Sequence, residues 1–160
     1  RQATSVMDPR ASFIVTSMLS DAIQRGTGRR ARALKRDDLA GKTGTTNGPR
    51  DAWFSGYNRD LVTTAWVGFD DYSVLGRREF GGTAALPIWI DYMGAALDEQ
   101  HAPAIMPHGV VRLRIDRRTG QKVSGAPTDS MLDYFFEEFL PTETSDNEDR
   151  LGTDDLEDLF

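Results

Sequence analysis

The 160 residues include no cysteine. That excludes a disulfide framework, a thiolate zinc site and a cysteine nucleophile, and leaves the redox compartment open. Histidine is scarce: His101 and His108 are the only two, and they show neither metal-ligand spacing nor an acid-partner pattern. Long apolar runs are missing as well. A membrane-spanning helix needs about 18 uninterrupted apolar residues, and the nearest candidate, residues 84–97, is broken by Pro87 and Asp91. No internal repeat or fibrous periodicity is present. The chain opens at Arg1 without a signal-like segment, which reads as a start in mid-protein. Positive charge is not in excess: the formal net charge is −6. Residues 141–160 hold eight acids and one base, Arg150, so they carry −7 and leave +1 on residues 1–140. A body this neutral gives no electrostatic footprint for nucleic acid, and the acidic end reads as a solvated, disordered tail. What is present, 39% hydrophobic residues against 28% charged, suffices to bury a core over residues 1–140.

Asp8-Pro9 starts a helix, with an acceptor at the cap and a fixed φ in the first turn. Ala11, Ile14, Val15, Met18, Ala22 and Ile23 recur at helical spacing, which predicts a core-facing stripe that stops at Gly26. The basic stretch Arg25, Arg29, Arg30, Arg32, Lys35 and Arg36 is broken by Gly26 and Gly28 and reads as a solvated loop, with a loop that borders an anionic substrate as the alternative. Three extended runs follow, residues 39–45, 52–58 and 61–69. Asn47-Gly48-Pro49 and Asn58-Arg59-Asp60 part them, so the runs are antiparallel neighbours. The third run is apolar on both faces, which predicts cover on both. Residues 84–97 predict a helix with Leu86, Ile90, Met93 and Leu97 on one stripe. Beyond the Pro-containing residues 102–107, residues 110–115 read as a strand that turns back through residues 116–120. Residues 129–139 read as a short helix with Leu132, Phe135, Phe136 and Phe139 as a packing stripe.

The stretch that carries chemistry is Ala40-Gly41-Lys42-Thr43-Gly44-Thr45-Thr46, on a predicted strand just before a turn. Two chemistries use Gly-Lys-Thr. A phosphate-binding loop needs another glycine five positions before Gly41 and a helix after it. Arg36 stands at that position, Asp37 and Asp38 would repel phosphate, and turns and strands follow. The other is Lys-Thr-Gly, a motif of penicillin-recognising serine acyl enzymes. There a strand walls the cleft with a lysine charge, a glycine that admits the acyl group, and a backbone N–H aimed at the developing oxyanion.

The surrounding residues narrow this. Gly41-Lys42-Thr43-Gly44-Thr45-Thr46-Asn47 is followed by Arg50-Asp51-Ala52-Trp53-Phe54-Ser55-Gly56-Tyr57 and then Thr64-Ala65-Trp66-Val67-Gly68-Phe69-Asp70. Gln24-Arg25-Gly26-Thr27-Gly28 precedes them, and Gly76-Arg77-Arg78-Glu79, Gly81-Gly82 and Ala85-Leu86-Pro87-Ile88-Trp89 come after. In that order the chain resembles the C-terminal part of the transpeptidase domain of bifunctional class A penicillin-binding proteins, in the type 1a form of Gram-negative bacteria. The match spans roughly residues 8–97. The resemblance implies an α+β fold, an antiparallel sheet with helices packed on both faces. It implies a peptidoglycan D,D-transpeptidase that cross-links stem peptides ending in D-Ala-D-Ala and is acylated by β-lactams. No cofactor or metal is implied, and the place is the periplasmic side of the bacterial inner membrane. Lys42 would neutralise the carboxylate of peptide or antibiotic, Thr43 and Thr45 would hydrogen-bond it, Gly44 would admit the acyl group, and the Thr45 N–H would be an oxyanion donor.

The family's nucleophile lies in Ser-x-x-Lys, and none of the serines here has a lysine three residues on. The resemblance therefore implies a partner, the upstream part of the same protein, that carries the serine, a glycosyltransferase domain and the membrane anchor. Ser145-Asp146-Asn147 matches the family's Ser-x-Asn literally but follows Lys-Thr-Gly instead of preceding it, and reads as coincidence. Two rivals stand beside this reading: a serine β-lactamase-like hydrolase, disfavoured by the 116 residues after Gly44, and a non-catalytic wall-binding module.

Overall fold

The computed structural model describes residues 6–98, 101–102 and 104–143. The chain divides into two compact units, Arg1–Pro107 and His108–Phe160. The acidic tail beyond residue 143 lies outside the described residues.

In the first unit the Asp8 carboxylate accepts the Arg10 N–H at 2.8 Å and starts α1, Pro9–Gln24. The predicted stripe is buried only in part. Ile23 is fully buried, whereas Val15 and Met18 are 44% and 61% exposed, because α1 lies along the neighbouring strand rather than inside a ring of elements. Two contacts hold it there. The Ser20 hydroxyl donates to Leu39 O at 2.8 Å, and the Thr16 and Tyr57 hydroxyls meet at 2.9 Å. The basic stretch is not a plain loop: Arg29–Leu34 forms a 3₁₀ turn with Ala31 buried inside it.

The three strands are β1, Ala40–Thr45, β2, Asp51–Tyr57, and β3, Val62–Gly68, paired antiparallel in the order β1-β2-β3. The register sets Lys42 against Ser55 and Thr64, Thr43 against Phe54 and Ala65, Gly44 against Trp53 and Trp66, and Thr45 against Ala52 and Val67. Since side chains alternate along a strand, Ala52, Phe54 and Ala65 share one face. On that face they join Ile23, Ala31, Leu39, Ala85, Leu86, Trp89 and Met93 in the core. Trp89 belongs to α2, Leu86–Ala96, entered through a π-helical turn at Gly81–Ala85. Its ring packs on Phe54 at 4.8 Å, its Nε1–H donates to Thr63 O at 3.1 Å, and it fills the space a side chain at Gly56 would need. The opposite face is open among the described residues: Trp53, Val62 and Trp66 are 42%, 74% and 44% exposed. The cover expected on both faces of the third run is therefore not supplied by the described residues.

The tight turns are built from side-chain caps. Thr46 Oγ1 accepts the N–H groups of Arg50 and Asp51, and Asn58 Oδ1 accepts those of Asp60 and Leu61.

The second unit corrects the sequence expectation. Residues 129–139 are not a helix: β5, Ser130–Phe136, pairs antiparallel with β4, Val110–Asp116, from Val110↔Phe136 to Asp116↔Ser130. The spacing of Leu132, Phe135 and Phe136 fits either period over so short a run. Aromatic residues favour a pleated surface, and pairing with distant β4 decides the outcome. The chain does turn at residues 116–120, where the Asp116 carboxylate accepts the N–H groups of Arg118 and Thr119. It pairs back on β4 at once through a single antiparallel bridge, Ile115↔Lys122, while the full-length strand partner arrives at Ser130. Lys122 N–H donates to Thr142 O at 2.8 Å.

Candidate functional site

β1 is a sheet edge, so only one of its sides is consumed by β2. Thr46 N–H donates to Asp51 O at 3.1 Å. In an antiparallel pair the direction of backbone groups alternates residue by residue. The N–H of Thr45 and the N–H and C=O of Thr43 therefore point away from β2, toward the edge. The Lys42 side chain leaves the sheet on the face of Ser55 and Thr64, but its ammonium curls to that same edge, donating to Thr43 O at 3.1 Å and Thr43 Oγ1 at 3.2 Å. Thr43 Oγ1 is in turn 2.8 Å from Thr27 Oγ1. Thr45 Oγ1 accepts the Gly81 N–H at 3.0 Å, which leaves its own proton to donate.

The π-helical turn is seated directly under this strand. The side chains of Gly44 and Trp53 project to the open face or are absent, so the core face of that pair is bare backbone. Gly81 rests on it so closely that a Cβ there would lie 2.3 Å from Trp53 O and 2.5 Å from Gly44 O. Arg30 reaches the same turn, its Nη1 donating to Gly82 O at 3.3 Å. Lys42, Thr43, Gly44 and Thr45 thus form a donor-rich edge, with Thr27, Arg30 and Gly81 brought beside them from segments 12 to 39 residues away in the sequence. In the sequence Thr27 and Gly81-Gly82 stand out only through the family resemblance. The paired glycines were the available sign that backbone approaches closely there.

The start of β1 is anchored by a buried ion pair. Arg36 Nε and Nη2 grip Asp38 at 2.9 and 2.7 Å, with side chains only 10% and 8% exposed, and Asn58 Nδ2 donates to the same carboxylate at 3.1 Å. Burial alone would raise the Asp38 pKa. The hydrogen bonds from Arg36 and Asn58 and the guanidinium charge outweigh it, and the carboxyl titrates below its ordinary value. The bond to Asp38 likewise raises the Arg36 pKa, against desolvation.

His101 does meet an acid, contrary to the sequence expectation: its Nε2 lies 3.0 Å from Asp37 Oδ1. Asp37, Asp38 and His101 gather closely enough to suggest a cation site. The donor set does not fit one, because the guanidinium of Arg36 already occupies both Asp38 oxygens.

No serine–lysine pair that could serve as an acyl-enzyme nucleophile is present among the described residues. The hydroxyl of Ser55, directly across from Lys42, meets the Thr64 hydroxyl at 2.9 Å. The edge of β1 is rich in hydrogen-bond donors, an arrangement that suits an anion.

No family model matches the chain. Among curated proteins, penicillin-binding protein 1A of Pseudomonas aeruginosa is 55% identical over 140 residues, 87% of this chain and 17% of that protein. Penicillin-binding protein 1A of Vibrio cholerae is 38% identical and covers 99% of this chain, which covers 23% of it. The crystal structure of penicillin-binding protein 1A from Haemophilus influenzae superposes with a TM-score of 0.79 at 39% identity, over 88% of this chain and 22% of that one. The chain belongs to the penicillin-binding protein 1A family, and it spans about a fifth of the length of the relatives it matches.

Proposed function

We propose that this chain is the Lys-Thr-Gly wall of the acyl-transfer site in a longer peptidoglycan D,D-transpeptidase. The single observation that carries the reading is the edge of β1, where the Lys42 ammonium lies on the Thr43 hydroxyl and Thr45, two residues on, adds its own hydroxyl and an outward N–H. A carboxylate, whether of a D-Ala-D-Ala stem peptide or of a β-lactam, meets one full positive charge and two hydroxyl donors there, the charge-assisted arrangement that binds carboxylates best. The scissile carbonyl then lies over Gly44, where no side chain blocks it, and its developing oxyanion faces the Thr45 N–H. One such donor contributes about 3–4 kcal/mol to the transition state.

The serine that becomes acylated is supplied by the upstream part of the same protein. That part also carries the glycosyltransferase domain and the anchor that holds the protein on the periplasmic side of the inner membrane. No described helix of this chain is long and apolar enough to cross a membrane. The reaction needs no cofactor: the donors present act on charge that develops on the substrate.

Labelling with a fluorescent penicillin, read on a denaturing gel, tests the assignment. The complete protein is labelled, and this chain alone is not. Label on the isolated chain would place a nucleophile within it and end the reading.

A further inference from the structure

We propose that Thr27 is a positioning residue for the carboxylate-binding hydroxyl of Thr43. The inference rests on the reading of β1 given above. Its basis is proton bookkeeping along the chain Lys42–Thr43–Thr27. An ammonium can only donate, so at 3.2 Å Thr43 Oγ1 accepts from Lys42. A hydroxyl has one proton and two lone pairs, and the 2.8 Å contact between Thr43 and Thr27 closes with either proton. With the edge empty, the Thr43 proton is free to turn toward Thr27. When a carboxylate occupies the edge, Thr43 turns its proton outward, and its second lone pair is filled by the Thr27 hydroxyl. Thr43 is then polarised by two donors, which strengthens the bond it makes to the anion. Without Thr27 that second donor is lost, and Lys42 alone is left to orient the Thr43 hydroxyl.

Thr27 is held where this role needs it. Gly28 N–H donates to Ala22 O at 2.9 Å, and the Gly28 α-carbon packs so that a Cβ would lie 3.3 Å from both Ile23 and Phe54. The turn out of α1 is thereby pressed against the core. On its other side, Gly82 sits where a Cβ would lie 3.2 Å from Thr27 O and 3.8 Å from Thr43 Cγ2. The end of α1 and two segments remote in sequence, β2 and the Gly81–Gly82 turn, thus lock one exposed hydroxyl against Thr43. A threonine placed only for packing would have no reason to aim its oxygen, rather than its methyl, at another hydroxyl.

The test uses the complete protein and two probes, benzylpenicillin and its methyl ester, which differ in the carboxylate alone. Thr27→Val keeps the shape and removes the hydroxyl. It lowers the preference for the free acid, as the ratio of second-order acylation rates, by about three- to tenfold, and Thr27→Ser restores it. An equal loss with both probes, an unchanged preference, or a Thr27→Ser variant as impaired as Thr27→Val overturns the proposal. Lys42→Ala and Thr43→Val run beside it keep the two readings apart. If neither lowers the acid preference, β1 does not bind the carboxylate and both readings fall. If both lower it while Thr27→Val does not, only the role of Thr27 falls.

Discussion

Replacing Gly81 by alanine tests whether the π-helical turn and the donor edge of β1 form one rigid body. The added Cβ would start 2.3 Å from Trp53 O, 2.5 Å from Gly44 O and 3.1 Å from Gly44 N. All three are backbone atoms of paired strands, so none can rotate away, and contacts below 3.0 Å are not sustained. The turn must therefore retreat by at least about 0.7 Å. That retreat stretches the 3.0 Å bond from Gly81 N–H to Thr45 Oγ1 and frees the Thr45 hydroxyl from its fixed rotamer. Overpacking of this kind costs about 1–3 kcal/mol of stability, and the lost hydrogen bond adds about 1 kcal/mol. The larger effect falls on chemistry, because displacement of a reacting group by about 1 Å costs up to about 100-fold in rate. In the complete protein, Gly81→Ala slows acylation by benzylpenicillin about 10- to 100-fold and lowers the melting transition of the unit that contains it. Gly82→Ala is the control: its nearest contact would be 3.2 Å, which small adjustments relieve, and it costs far less on both measures. Unchanged acylation in Gly81→Ala, or equal losses in the two variants, would refute the argument that Gly81 is seated on Gly44 and Trp53.

Lys42→Ala in the complete protein slows acylation at least about tenfold, equivalent to about 1.4 kcal/mol, and shifts the thermal melt little, since an exposed strand lysine contributes little packing; normal acylation kinetics would show the ammonium to be idle. The Arg36–Asp38 pair sets an acid limit. The Asp38 pKa is depressed in the folded state, so the pair's stabilisation is fully present above the ordinary carboxylate range near about 3.9 and is lost as pH falls through the lower folded value. Asp38→Ala, which leaves the Arg36 guanidinium its bond to Asp98 O, costs at most about 3–5 kcal/mol at neutral pH, and denaturant melts from pH 7 down to pH 2 show the difference from wild type shrinking at the acid end. Because the chain has no native cysteine, the strand character of β5 can be read by cross-linking: Leu113 and Asp133 face each other directly, at a separation that suits a disulfide. Leu113→Cys with Asp133→Cys oxidises to an intrachain bond on a non-reducing gel, and a helix over residues 129–139 would leave both thiols free.

Much of this was legible in the residues. Asp8-Pro9, the turn chemistry at Asn47-Gly48-Pro49 and Asn58, and the run lengths of β1, β2 and β3 are local signals. They fixed the order and antiparallel sense of the sheet because short connections permit nothing else. Lys42, Thr43, Gly44 and Thr45 were likewise readable, being contiguous, with the family recognisable in the order of motifs around them. Other features were not local. Leu132, Phe135 and Phe136 fit a helix and a strand alike, and only pairing with Val110–Asp116, on the far side of a turn, chose the strand. Val15 and Met18 have the helical spacing of a core stripe, yet α1 lies along β1 and leaves them exposed. Thr27 and Gly81 reach the donor edge, and Arg30 the turn beside it, only because the backbone closes tightly enough at Gly28 and Gly81 to bring distant segments together there. Periodicity and motif order report what neighbouring residues prefer; which distant surfaces meet, and which hydroxyl faces which, is settled by packing free energy summed over the whole unit.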